Sequence, residues 1–257
     1  MIDIHAHILP DLDDGSEDME ESLEMAELAV ESGVEIMTAT PHSNQMGRFE
    51  NFQSEQLQTA FERLRMVLKK EKIPLKILNG MEIFASEDIA QKIKNKQLSG
   101  INGTDYYLVE FPFDADSWWI RECLEDIFDT GKIPLIAHPE RYFCIQDYPE
   151  LIYEWVQNGC VTQMNKGSIL GRFGRNVMET ARILLRNDLI SCIASDAHRS
   201  YIRTPHMGEA KKALVHIGGY GYAWHLTDEN PERIIKNIQI PLHGRRPERR
   251  KKYFMPV

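Results

Sequence analysis

The sequence predicts an α/β fold, an irregular seven-stranded (β/α) barrel of TIM-barrel type, and three observations carry that reading. Short apolar, β-branched runs alternate with amphipathic helical segments through most of the 257 residues, the pattern of a parallel sheet made of successive βα units. Several helical segments stop at a glycine, as at Gly33, Gly131 and Gly159, where a left-handed residue closes the last turn. Six of the seven strand candidates deliver a His, Asp or Glu at or just past their C-terminal end, the face on which such barrels carry their active sites. Strict alternation, with the connections on one side, favours a barrel over an open doubly wound sheet.

The first strand is expected at residues 2–5. Ser16 is the expected N-cap of the first helix, with acidic residues in the first turn to complement the helix dipole. That helix should reach Ser32. Residues 34–40 (VEIMTAT) read as a buried strand. Residues 54–71 form a long helix with Leu57, Phe61, Leu64 and Leu68 at helical spacing. Strands are then expected at 75–83, 106–111, 133–138, 160–165 and 189–195. Helices are expected at 86–94, 117–130, 147–158 and 175–187, with closing helices at 206–216 and 231–238. Residues 1–240 read as a single barrel domain and 241–257 as a basic tail.

Charge and cysteine usage narrow the function classes. The net charge is −9, which argues against nucleic acid as a partner, since that affinity needs a basic footprint. Residues 1–47 hold twelve acidic residues and no Lys or Arg, whereas six basic residues crowd into 245–252. The plain reading of that tail is a frayed, solubilising end. Cys123, Cys144, Cys160 and Cys192 match no zinc-ribbon spacing and read as reduced residues of a cytoplasmic protein. No signal peptide and no membrane span are expected.

The chemistry-bearing residues follow the strands. The first ends in His5-Ala6-His7, with Asp14 soon after. The second ends at Thr40-Pro41-His42, the third near Glu82, the fourth at Glu110 and the fifth at His138. The seventh runs into Asp196-Ala197-His198. A lone histidine at a strand end is ordinarily a hydrogen-bonded loop residue. Glu82 and Glu110 are different, because each lies in an apolar strand, where a carboxylate is costly unless paired or bound to metal. The H-x-H and D-x-H pairs place both members on one side of a strand. Imidazoles mixed with carboxylates suit zinc, manganese or iron, and a purely oxygen set would suit magnesium or calcium. Carboxylates that bridge such ions allow hydroxide to form near neutral pH and clamp an in-line displacement. Arg141, three residues past His138, and Arg203, five past His198, offer guanidinium forks for phosphate oxygens.

The set HAH, DLDDG, TPH, GMEI, LVEF, AHPER and SDAH resembles the PHP (polymerase and histidinol phosphatase) superfamily. Within it, the chain is most similar to the bacterial manganese-dependent protein-tyrosine phosphatases of capsule and exopolysaccharide clusters, the YwqE/CpsB type. The resemblance runs from Met1 to about Asn237. It implies the PHP barrel and three divalent transition-metal ions, manganese first, with iron, zinc or magnesium as alternatives. One ion would be held by His5, His7, Glu82 and Asp196. Glu82 would bridge to a second, held also by Glu110 and His138, and Asp14, His42 and His198 would hold the third. Arg141 and Arg203 match the family's phosphate-binding arginines, Arg203 less closely because its loop varies. Ser43 stands where some relatives have a further histidine that is not a required ligand.

The implied substrate is phosphotyrosine on a bacterial tyrosine kinase that controls polysaccharide export. The basic tail would then touch the anionic inner face of the membrane. A histidinol-phosphate phosphatase is the alternative within the superfamily, and the resemblance assigns Glu at position 110 to the tyrosine phosphatases. Three rivals stand outside it. An amidohydrolase would place a bridging lysine where Glu110 stands. A cysteine phosphatase needs Arg six residues after Cys, and those positions hold Asp129, Glu150, Lys166 and His198. A metal-stabilised docking protein would be expected to lack a ligand, and none is missing.

Overall fold

The protein is described here by a computed structural model that covers residues 1–248. Among these described residues nine strand segments and ten α-helices follow in order. They are β1 (Ile2–Ala6), α1 (Met19–Glu31), β2 (Ile36–Ala39), β3 (His42–Ser43), α2 (Glu55–Glu71), β4 (Lys76–Asn79), β5 (Glu82–Phe84) and α3 (Ile89–Lys94). Then come β6 (Tyr106–Glu110), α4 (Ser117–Phe128), β7 (Ile133–Ala137), α5 (Phe143–Asp147), α6 (Glu150–Gln157) and β8 (Val161–Asn165). The chain ends with α7 (Lys166–Ile169), α8 (Arg175–Arg186), β9 (Cys192–Ala194), α9 (Gly208–Trp224) and α10 (Asn230–Ile235).

The fold is mixed α/β with parallel sheets. One sheet has the order β1-β2-β4 and the other β3-β5-β6-β7-β8-β9. Neighbouring strands in both run parallel. At the far edge β9 runs into β1. Ala6 bridges Ala197, the His7 amide donates to the Ala197 carbonyl at 2.8 Å, and the Asp196 amide to the His5 carbonyl at 2.9 Å.

One strand expected as a single run is broken in two and another is followed by a short strand that was not expected, and both steps aim the site. Residues 75–83 divide into β4 and β5, and 34–40 hold β2, with β3 beyond Pro41. Pro41 has no amide to continue the ladder, so the chain steps sideways there, and the Glu82 amide donates to the Pro41 carbonyl. Opposite, a Cβ on Gly80 would lie 2.7 Å from the Thr38 methyl and 2.9 Å from that of Thr40. Only glycine allows that approach. The chain re-forms as β3 and β5, where His42 and Glu82 pair directly. β1 carries one extra residue against β2 between Asp3 and Ala6, a bulge of the kind that re-aims side chains beside active sites.

Two apolar clusters hold this frame. The smaller joins Ile2, Ile4, Tyr106, Leu108, Leu135, Val161 and Cys192 of the strands to Ile234, Ile235 and Ile240. The Tyr106 hydroxyl fastens that end, donating to the Ile238 carbonyl at 2.9 Å and accepting from the Ile240 amide at 3.2 Å. The larger cluster packs helices on strands through residues such as Phe61, Leu64, Ile120, Leu124 and Leu184.

Several local expectations are corrected. Asp18, not Ser16, caps α1, accepting from the Glu21 amide at 2.9 Å. The Ser16 hydroxyl is buried instead, donating to the Asp18 carbonyl at 2.7 Å. The helix expected at 147–158 is α6 alone; α5, which precedes it, was not foreseen, and Tyr148-Pro149 separates the two because a residue before proline leaves the helical region. α7 was not foreseen. α9 extends to Trp224, past a non-helical Gly219, and the last helix starts at Asn230 and ends at Ile235.

The start of the tail is seated rather than frayed. The Arg245 amide donates to the Asn187 carbonyl at 2.8 Å, and Arg246 pairs with Glu154 at 2.8 Å. The rest of the expected tail, residues 249–257, lies outside the described residues. Among the described residues no helix is long and apolar enough to cross a membrane.

Candidate metal centre

All nine expected ligands and both arginines meet at the C-terminal ends of the strands. Asp14, His42, Glu82, Glu110, His138, Arg141, Asp196, His198 and Arg203 line one cavity of about 160 Å³, and His5 and His7 lie buried beside Glu82 and Asp196. His138 and Asp196 stand at strand ends with φ of 32° and 49°, and Arg203 follows at 50°. Left-handed backbone at non-glycine residues is costly and gathers at functional sites. Gly15 lets the DLDDG loop close over the floor, since a Cβ there would meet the His7 carbonyl at 2.2 Å.

The contacts fall into three overlapping groups. His5 Nε2 is 3.3 Å from Glu82 Oε1 and 3.5 Å from Asp196 Oδ1. His7 Nε2 is 3.2 Å from Glu82 Oε2 and 3.5 Å from Asp196 Oδ1. Asp14 Oδ1 is 3.3 Å from His42 Nε2 and 3.5 Å from His198 Nε2, with His7 alongside. Glu82 and Glu110 are approached from two sides. His138 Nε2 is 3.1 and 3.5 Å from their oxygens, and His42 Nδ1 is 3.0 and 3.7 Å away.

Hydrogen bonding outside the cluster fixes the imidazole tautomers and tests whether cations fit. The Asp196 carboxylate can only accept, so Asn165 Nδ2 must donate to it, at 2.5 Å. Asn165 Oδ1 then accepts from Gln163 Nε2 at 2.9 Å. Gln163 Oε1 is thereby left to accept from His5 Nδ1 at 3.0 Å. His7 Nδ1 likewise donates to Asp13 at 2.7 Å. In the neutral imidazoles that bind metal, both Nε2 atoms therefore present lone pairs, and they lie 3.3 Å apart. Glu82 Oε2, His42 Nδ1 and Asp14 Oδ1 are buried without hydrogen-bond partners. Lone pairs converging on lone pairs and carboxylates call for shared cations, and the mixed donor set suits divalent transition metals.

The electrostatics agree. Burial opposes the charge on Glu82, yet His5, His42 and His138 hold its carboxyl well below the usual range. Burial also opposes charge on Asp196, and Arg203 and His5 overcome it. Burial and then the charge of Glu82 push Glu110 up to about 8. For His42 burial works downward, but Glu82 and Asp14 carry it up to about 10. Burial pushes His138 down to about 4, and burial with the neighbouring His7 pushes His198 down to about 3.

The arginines sit on the opposite wall. Arg203 contacts Asp196 through Nη2 and His198 through Nη1 at 3.1 Å. Arg141 Nη1 lies 3.8 Å from Asp196 Oδ2, and its guanidinium stacks 4.3 Å from the ring centre of Phe113 and 4.7 Å from that of Phe173.

Sequence reasoning missed the supporting residues. Asp13 stands beside an expected ligand, and the spacing of Gln163 and Asn165 on β8 offered the same period-two signal as His5 and His7. Phe113, Phe173 and Arg48, which reaches Asp14 at 3.4 Å, lie on loops and carried no such signal. The cysteines take no part: three are buried, and burial pushes Cys144 up to about 11, so no ready thiolate exists.

The family model for capsular polysaccharide synthesis, CpsB/CapC, matches residues 1–236. The chain belongs to the CpsB/CapC family. Tyrosine-protein phosphatase YwqE of Bacillus subtilis is 39% identical over 254 residues, 99% of either chain. Tyrosine-protein phosphatase CpsB of Streptococcus agalactiae is 34% identical, covering 93% of this chain and 100% of its own. A crystal structure from the set for YwqE of Bacillus subtilis and CpsB of Streptococcus pneumoniae, described as metal-dependent tyrosine phosphatases, superposes with a TM-score of 0.89. It is 37% identical and covers 98% of this chain and 100% of its own. A histidinol phosphate phosphatase from Lactococcus lactis shares the fold at a TM-score of 0.55, with 13% identity, over 85% of this chain and 95% of its own.

Proposed function

We propose that this protein is a metal-dependent protein-tyrosine phosphatase of capsule or exopolysaccharide synthesis, acting on phosphotyrosine of a bacterial tyrosine kinase. One observation carries the reading: three His/carboxylate groups and two arginines share one cavity. The tyrosine-phosphatase relatives match over nearly the whole chain, which supports the same chemistry here. The two sheets are read as one irregular seven-stranded barrel, with β2/β3 and β4/β5 each counted as one broken strand.

His5, His7, Glu82 and Asp196 would hold one ion, Glu82, Glu110 and His138 a second, and Asp14, His42 and His198 a third, manganese being the first expectation. When bound, such ions supply hydroxide near neutral pH and stabilise charge on the phosphoryl oxygens. The chain's own groups do the rest. Arg141 and Arg203 present guanidinium donors to phosphoryl oxygens. Gln163 and Asp13 hold His5 and His7 in the tautomer that points Nε2 inward. Four unpaired cysteines fit a reducing, cytoplasmic setting, and residues beyond 248 would supply any contact with an anionic membrane.

The test is turnover of a phosphotyrosine peptide against histidinol phosphate by the manganese-loaded protein. The account expects the peptide to have much the higher kcat/KM. Preference for histidinol phosphate would move the protein to the other branch.

A further inference from the structure

The cavity that gathers the ligands is small and polar. It measures about 160 Å³. Phe113 is the one apolar residue in its lining. Every other lining residue is polar or charged, so a neutral aromatic ring gains little by lying beside a phosphoryl group there. The ring is better served outside, and the lining shows in which direction.

Phe113 and Arg141 also border a second, larger groove of about 510 Å³, which continues over Phe143, Phe173 and Val177. Two other surface grooves, one at Leu12 and Met19 and one at Leu98 and Tyr107, share no residue with the metal cavity. Phe143 opens α5 and is 58% exposed, and it borders the groove together with the half-buried Phe113 and Phe173. Arg175, at the far side, is ion-paired with Glu179 at 2.7 Å, so the groove offers no strong second anion site. Three phenylalanines with muted charge suit a flat neutral ring.

We propose that this groove is the aryl subsite: the ring of the phosphotyrosine leaving group seats against Phe113, Phe143 and Phe173 while its phosphate lies in the metal cavity. The proposal rests on the phosphatase reading and adds what selects the substrate. Arg141 belongs to both spaces, so phosphate and ring are contiguous. An alkyl phosphate fills the cavity and leaves the groove empty, which makes the discrimination one of aryl against alkyl.

Calorimetry on the manganese-loaded protein with phenylphosphonate, methylphosphonate and inorganic phosphate tests this. Wild-type protein should bind phenylphosphonate at least ~10-fold more tightly than methylphosphonate, the scale of a filled apolar pocket. Phe143→Ala, at an exposed position, should fold normally and lower that ratio several-fold, with methylphosphonate and inorganic phosphate unchanged. Phe143→Tyr should keep it. Equal binding of the two phosphonates by wild type, or an undiminished ratio in Phe143→Ala, overturns the aryl subsite while leaving the phosphatase reading intact. Failure to bind inorganic phosphate or either phosphonate overturns both.

Discussion

The ligand floor of the cavity and its arginine wall are held by different means. The floor is made of strand ends. His5, Glu82 and Asp196 are almost wholly buried, and Gln163 and Asn165 of β8 orient His5 and Asp196. The wall is made of loops. Arg203 sits on an irregular segment that ends at α9, Arg141 on the short turn after β7, and aromatic faces rather than strand hydrogen bonds flank Arg141. Rigid placement suits ligands that must share cations at short range. A looser wall suits groups that bind, release and choose a substrate.

The comparison predicts a ranking of losses. Glu82 touches four histidines of the floor, so Glu82→Gln should have the largest effect, with metal content and turnover both collapsing. Retained metal in that variant would mean Glu82 is not shared between ions. Arg141→Ala should lower kcat/KM by about 10²-fold, the scale of one preorganised donor, with metal content unchanged on elemental analysis. Arg203→Ala should differ by also weakening metal binding, because Arg203 contacts Asp196 and His198. If both arginine variants lose metal alike, the division between floor and wall is wrong.

That division also explains what the sequence disclosed. Every floor ligand but Asp14, which lies in the DLDDG loop, sits at or just past a strand end, and the period-two and strand-end signals of His5-Ala6-His7 and Asp196-Ala197-His198 are local. The break at Gly80 was not legible as a break, because apolar residues resume directly after it. Pro41, followed by polar His42, Ser43 and Asn44, could have signalled the other step. The Phe113, Phe143 and Phe173 wall depends on loops that meet only in three dimensions. The Asp18 cap was missed because Ser16 has equal capping propensity, and only its burial diverts it.

Smaller effects sharpen the account. Gln163→Leu removes the acceptor that fixes His5 Nδ1–H and should cost ~10–100-fold in metal affinity or activity. Wild-type affinity would make the Asn165 relay ornamental. Metal uptake at pH about 7 should release protons, seen as a dependence of binding heat on buffer ionisation. The sign follows from the raised groups. His42, pushed up to about 10, and Glu110, up to about 8, hold protons without metal and must lose them to ligate. Apparent affinity should therefore rise with pH up to about 10. A pH-independent affinity would contradict the protonated cluster. Smallest of all, truncation after Leu242 removes the Arg246–Glu154 pair and should lower stability by about 0–1 kcal/mol, with turnover of a small aryl phosphate unchanged.

The most direct measurement is elemental analysis of protein purified without chelator, paired with phosphotyrosine-peptide turnover before and after EDTA. The account predicts transition metal at a stoichiometry matching the three ligand groups, loss of turnover on chelation and recovery with manganese. Full turnover by protein that holds no metal would contradict it.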